Sequence, residues 1–209
     1  KPKLLLICNP NNPTGTTLPA EQIIKFATTS PKTLVVVDEL YEAFSSESVL
    51  RVTNFDKTPN LIALRSLSKT AGLAGLRIGF AIGNEDVINY ITRVIGPYDV
   101  NSFAVIAAFA ALQDQAYVDN YVKEVLNAKE WIKKRLLNSS YRHQIEGGNY
   151  FLIWPNNDSL KVEASLKAAG ILVRNMKGKP LIDGAIRVSI GTIDQMQGFW
   201  NAFLNSDSV

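Results

Sequence analysis

Three short apolar runs, each ending at a cluster of polar side chains, constrain this chain more than any other feature. Leu4-Leu-Leu-Ile-Cys8 leads into Asn9-Pro-Asn-Asn-Pro-Thr-Gly15, Leu34-Val-Val-Val37 into Asp38-Glu-Leu-Tyr41, and Leu61-Ile-Ala-Leu64 into Arg65-Ser-Leu-Ser-Lys69. Near-continuous, β-branched runs of this length read as parallel strands buried on both faces. In open α/β sheets, ligands collect beyond the carboxyl ends of the strands. All three polar clusters lie at carboxyl ends, so neighbouring strands would bring Asn12, Asp38, Tyr41 and Lys69 to one rim.

The third cluster carries the most specific chemistry. Ser66 and Ser68 precede Lys69, and Arg77 follows eight residues later. A lysine amine forms a Schiff base with a carbonyl. Two hydroxyls and a guanidinium hold a phosphate, the guanidinium bidentately. An aldehyde that carries a phosphate is pyridoxal 5'-phosphate (PLP). Its ring works as an electron sink while the pyridine nitrogen is protonated, and a carboxylate beside that nitrogen keeps the proton there. Asp38 is the candidate. Tyr41 and Asn12 offer an O–H and an N–H to steady the phenolic oxygen of the ring.

Taken together, Asn12-Pro-Thr-Gly15, Asp38-x-x-Tyr41, Ser66-x-Ser-Lys69 and Arg77 resemble, in order and spacing, the cofactor motifs of fold-type I PLP enzymes, the class I/II aminotransferases. Within that family the likeness is strongest to the histidinol-phosphate aminotransferase branch. It is carried by Gly72-Leu-Ala-Gly-Leu-Arg-Ile-Gly79, Pro97-Tyr-Asp-Val-Asn-Ser102 and the arginines Arg174 and Arg187. The resemblance runs from Leu4 to about Phe203. It implies an α/β chain: part of a mostly parallel, three-layer PLP-binding large domain over residues 1–125, then a small C-terminal α/β domain over 126–209. It implies catalytic roles for Lys69, Asp38 and Tyr41, and cofactor contacts from these with Asn12, Ser66, Ser68 and Arg77. It matches Arg187 to the guanidinium that clamps the substrate α-carboxylate, Asn149 to an assisting amide, and Arg174 to a second anion-binding arginine. The implied reaction is amino transfer between histidinol phosphate and 2-oxoglutarate in histidine biosynthesis, by a cytoplasmic homodimer. A threonine-phosphate decarboxylase and an aromatic aminotransferase share the motifs. A nucleotide-binding α/β module without covalent chemistry, or a catalytically silent piece, are readings of another class.

The resemblance also implies a substantial N-terminal region: more strands, an aromatic stacking on the ring, and amides cupping the phosphate. This chain opens at Lys-Pro-Lys and enters a strand at once. It is therefore expected to be a C-terminal part that does not turn over substrate alone and that self-associates through an uncovered apolar face.

Ile78 to Ile82 reads as a further strand, which the resemblance implies is antiparallel, and a helix is expected from Asn84 or Glu85 to about Ile95. A second helix, capped by Asn101 or Ser102, is expected to about Gln113, and a long one from about Ala116 to Leu137. Beyond it, strands are expected at Tyr150–Trp154, Ile171–Arg174 and Ala185–Ile190. Helices are expected from Leu160 to Ala169 and from Thr192 to about Leu204, with 205–209 fraying. His143 reads as a surface residue in a polar loop, Cys8 as a small buried hydrophobe, and Trp154 and Trp200 as core or interface. A net charge of +3 on 209 residues is too small to argue for nucleic acid, and none is expected as a partner. No apolar stretch has the length of a membrane span, and one cysteine excludes an internal disulfide. No metal-ligand pattern is present. The expected partners are a small-molecule amino donor and a 2-oxo acid acceptor.

Overall fold

A computed structural model of the chain describes residues 2–208. They form two compact units, one comprising the residues up to Asn12 with Thr16–Tyr121, the other Pro13–Gly15 with the chain from Val122 onward.

The first unit is built on a four-stranded sheet of β1 (Leu4–Cys8), β2 (Leu34–Asp38), β3 (Leu61–Ser66) and β4 (Gly79–Gly83), in that order. The first three strands are parallel, with Cys8 opposite Asp38 and Asp38 opposite Leu64; β4 returns antiparallel beside β3. Helix α1 (Ala20–Thr29) buries Ala20, Ile23 and Ala27 against Val35, Val37, Leu61 and Ala63. The opposite face differs from the expectation of burial on both sides: Leu4 and Leu6 are 50% and 69% exposed. A continuous apolar run gives a strand the capacity to be covered twice, but α1 covers only one side.

Helices α2 (Glu85–Thr92) and α3 (Ser102–Gln113) follow, capped by the side chains of Asn84 and Asn101. The first stops short of Ile95, because the turns before Gly96-Pro97 take the chain out of the helix first. The sequence of α3, SFAVIAAFAALQ, has no charged residue and is apolar all round, a pattern suited to burial on every side. Phe103, Ile106 and Phe109 are nonetheless exposed, a contiguous apolar patch of the kind that drives association. Helix α4 (Gln115–Leu137) contains the division between the units, at Tyr121/Val122.

The second unit holds a four-stranded sheet in the order β5 (His143–Gln144), β6 (Tyr150–Ile153), β8 (Ile186–Ser189), β7 (Arg174–Asn175), antiparallel throughout. All of β6 is buried. Helices α5 (Ser159–Ala168) and α6 (Ile193–Asp207) pack together, with Phe199 against Phe151 and Phe203. Trp154 packs on Leu152, Met176, Ile182 and Ala185, and Trp200 stacks on Phe203, as core aromatics do.

Three expectations need correction. His143 is half-buried in β5, paired with Ile153, because the tail of β6 offers it a ladder. The expected strand Ile171–Arg174 shrinks to Arg174–Asn175, since only these residues find a partner on β8. Residues 205–207 belong to α6, and Val209 lies outside the described residues. The Asp207 carboxylate is buried and accepts the amides of Asn156 and Asn157 at 2.9 and 2.8 Å, which anchors the last turn of α6. Among the described residues, no helix is long and apolar enough to cross a membrane.

Candidate active site

The carboxyl ends of β1, β2 and β3 lie side by side because the strands are parallel neighbours. The loop after β1 is closed by buried Asn9, whose side chain donates to Leu18 O at 3.0 Å and accepts the Leu18 amide at 2.8 Å. From this loop Asn12 Nδ2 donates to the Tyr41 hydroxyl at 3.0 Å. Accepting that bond polarises the phenol and makes it a stronger donor. The Lys69 ammonium lies over the Tyr41 ring, 5.4 Å from its centre, within cation–π range. Asp38 ends β2, and its Oδ1 accepts the Leu40 amide at 3.0 Å, which sets the carboxylate at the strand tip. Burial pushes the Cys8 thiol up; the Asn12 backbone opposes this and Asp38 adds to it. Cys8 therefore stays a protonated thiol, donating to Pro10 O at 3.4 Å.

Past β3 the Ser66 hydroxyl lies 2.7 Å from that of Ser68 and accepts the Ser68 amide at 3.1 Å. Arg77 is exposed, with a left-handed backbone (φ 54°), and donates to Ala74 O at 3.1 Å. Ser66, Ser68, Lys69 and Arg77 line one cleft of about 430 Å³. The structure thus joins Asn12 to Tyr41, Tyr41 to Lys69, and Lys69 to the two serines and Arg77.

One charged network beside this site went unread in the sequence. Glu39, directly after Asp38, is buried; it accepts the Val49 amide at 2.6 Å, Ser48 Oγ at 3.0 Å and Arg65 Nε at 3.1 Å. Arg65, which also pairs with Glu42, is drawn below its usual value by burial and held up by Glu39. The pair ties the end of β2, which carries Asp38, to the end of β3, which leads into Lys69. The signal was an arginine directly after an apolar strand run, which needs an anion. Glu39→Gln is expected to lower unfolding stability by about 3 kcal/mol, as breaking a buried pair does. A urea denaturation series measures this, and a loss below about 1 kcal/mol would put the pair on the footing of an exposed one.

The other three predicted residues belong to the second unit. Arg174 and Arg187 are direct cross-strand partners, so their side chains leave the same face of the sheet. Like charges directly opposite are destabilising unless an anion lies between or beside them. The Arg187 guanidinium lies 5.6 Å from the Tyr150 ring centre. Asn149 is half-buried beside Tyr150, and its carbonyl accepts the Ile190 amide at 2.8 Å.

Residues 1–203 match the family model for aminotransferase class I and II. The chain belongs to this family. Its similarity to a histidinol-phosphate aminotransferase of Thermoanaerobacter pseudethanolicus is 35% identity over 194 residues, 93% of this chain and 54% of that protein. This aminotransferase chain thus spans about half the length of the curated relatives it matches. The crystal structure of histidinol-phosphate aminotransferase from Sinorhizobium meliloti, in complex with pyridoxal-5'-phosphate, superposes with a TM-score of 0.85 at 25% identity, covering 99% of this chain and 57% of that one. L-threonine-O-3-phosphate decarboxylase from Porphyromonas gingivalis shares the fold, with a TM-score of 0.81 at 24% identity over 97% of this chain and 64% of that one.

Proposed function

We propose that the full-length protein transfers an amino group with PLP as its cofactor, between histidinol phosphate and 2-oxoglutarate, in histidine biosynthesis. The observation that carries this is the shared cleft of Ser66, Ser68, Lys69 and Arg77, with Tyr41 and Asn12 linked to Lys69. The donor set fits PLP: an amine for its aldehyde, two hydroxyls and a guanidinium for its phosphate, a phenol and an amide for its ring oxygen, and a carboxylate for its ring nitrogen. When bound, PLP supplies an electron sink next to the substrate Cα. Asp38 keeps the ring nitrogen protonated. Lys69 Nζ removes the proton from the substrate Cα. Arg77, Ser66 and Ser68 orient the phosphate, and Tyr41 with Asn12 steadies the ring oxygen.

In this reading residues 1–125 are the partial large domain and 126–209 the small one. Arg187 with Asn149 clamps the substrate carboxylate and Arg174 meets a second anionic group; the opposed arginines support this. The working form is a cytoplasmic homodimer. The test is an assay of the full-length protein for oxoglutarate-dependent amino transfer from histidinol phosphate. Release of carbon dioxide from threonine phosphate in its place would overturn the substrate and favour a decarboxylase. Arg187→Lys is expected to raise the KM for 2-oxoglutarate by about 10- to 100-fold, because a point charge loses one arm of a charge-assisted fork. PLP affinity is expected to stay the same. Steady-state kinetics beside cofactor titration checks both, and an unchanged KM removes Arg187 from the site.

A further inference from the structure

Lys129 occupies a position that packing alone would give to an apolar side chain. On α4 the buried residues are Val125, Ala128, Lys129, Ile132 and Leu136, a single helical stripe. Lys129 is 8% exposed, and its ammonium donates to Gly148 O at 3.1 Å. Burial lowers its pKa from 10.5 to about 8, with Lys133 reinforcing the shift and Glu130 and Glu146 opposing it. A folded-state value below the unfolded one means that the charged form is disfavoured in the fold below about pH 8, and stability returns as pH rises toward 10.5. The charge is thus held against a stability cost.

The group it holds leads into the substrate-anion residues. Gly148 is left-handed (φ +82°), and a Cβ there would lie 2.6 Å from Tyr150 Cε1. Its neighbour Gly147 donates its amide to Gly15 O at 2.8 Å. Gly15 is itself left-handed, and a Cβ on it would meet Gly147 O at 2.9 Å. This turn without side chains is gripped on one side by Lys129 and on the other by the last residue of the Asn12-Pro-Thr-Gly15 motif. It runs straight into Asn149 and into Tyr150, whose ring faces the Arg187 guanidinium. We infer that Lys129 is a positioning residue that fixes the Gly147–Asn149 turn and thereby sets Tyr150 and Arg187 for an anionic substrate group. This rests on the reading of Asn149 and Arg187 as the substrate-anion site. A charge-assisted bond is roughly twice as strong as a neutral one, so removing the Lys129 amine loosens the turn.

The test uses the full-length protein with PLP. Lys129→Met is expected to raise the KM for 2-oxoglutarate at least ~10-fold while kcat stays within about threefold and the cofactor absorbance is unchanged, the pattern of lost substrate binding. An unchanged KM, or kcat and cofactor falling together, overturns the inference. A second measurement does not need activity. Amide exchange at Gly147–Tyr150 is expected to lose about tenfold protection in Lys129→Met and to keep it in Lys129→Arg, which retains a charged donor, while β8 amides keep theirs in both. Unaltered protection of the turn overturns the inference. Absence of amino transfer in the wild type refutes the proposed reaction alone, and the exchange result still decides the role of Lys129.

Discussion

Lys69→Ala in the full-length protein is expected to abolish amino transfer, a loss above ~10⁴-fold, because one amine serves as both the cofactor's anchor and the base at the substrate Cα. Lys69 is the lysine that lines the cleft, beside Ser66, Ser68 and Arg77. Its hold over the Tyr41 ring fixes the amine near the groups assigned to the ring oxygen. Borohydride reduction of the wild type with PLP, followed by peptide mapping, should place the pyridoxyl group on Lys69, and the variant should show no labelled peptide. A label on another lysine, or a variant that keeps its rate, would sink the assignment.

Asp38→Asn should retain PLP and lose about 10²- to 10³-fold in kcat, the scale on which removing one preorganised electrostatic group acts. The Leu40 amide that holds Asp38 Oδ1 can be accepted equally well by an asparagine oxygen, so the side chain keeps its place. What disappears is the negative charge that holds a proton on the ring nitrogen. Stopped-flow half-reactions with amino donor alone isolate this step from acceptor binding. A variant that reacts at the parent rate would show that Asp38 is not the partner of the ring nitrogen.

Much of the first unit was legible because its information is local. A β-branched run that ends in polar residues states both that a strand forms and which of its ends carries the polar groups. Asn84, Asn101 and Thr192 announce their helices because a cap bonds to amides two or three residues away. The misread positions depend on partners distant in sequence. Asp207 is anchored by amides some 50 residues before it, His143 by the ladder of β6, and Glu39 by Arg65 across the sheet. Lys129 went unread in the sequence, because the carbonyl it holds lies 19 residues further along.

By itself, then, the order of residues determined the parallel strands, the rim at their carboxyl ends and the identity of the groups gathered there. Periodicity and spacing are properties of one stretch of chain, and the chemistry of a motif travels with it. Tertiary structure alone decided that Arg174 stands opposite Arg187, that Glu39 and Arg65 share one buried pair, and that Lys129 grips the turn at Gly148. Each of these joins a charge to a group far along the chain. A buried charge takes whichever partner the packing brings within hydrogen-bond reach, and no local pattern in the sequence records that choice.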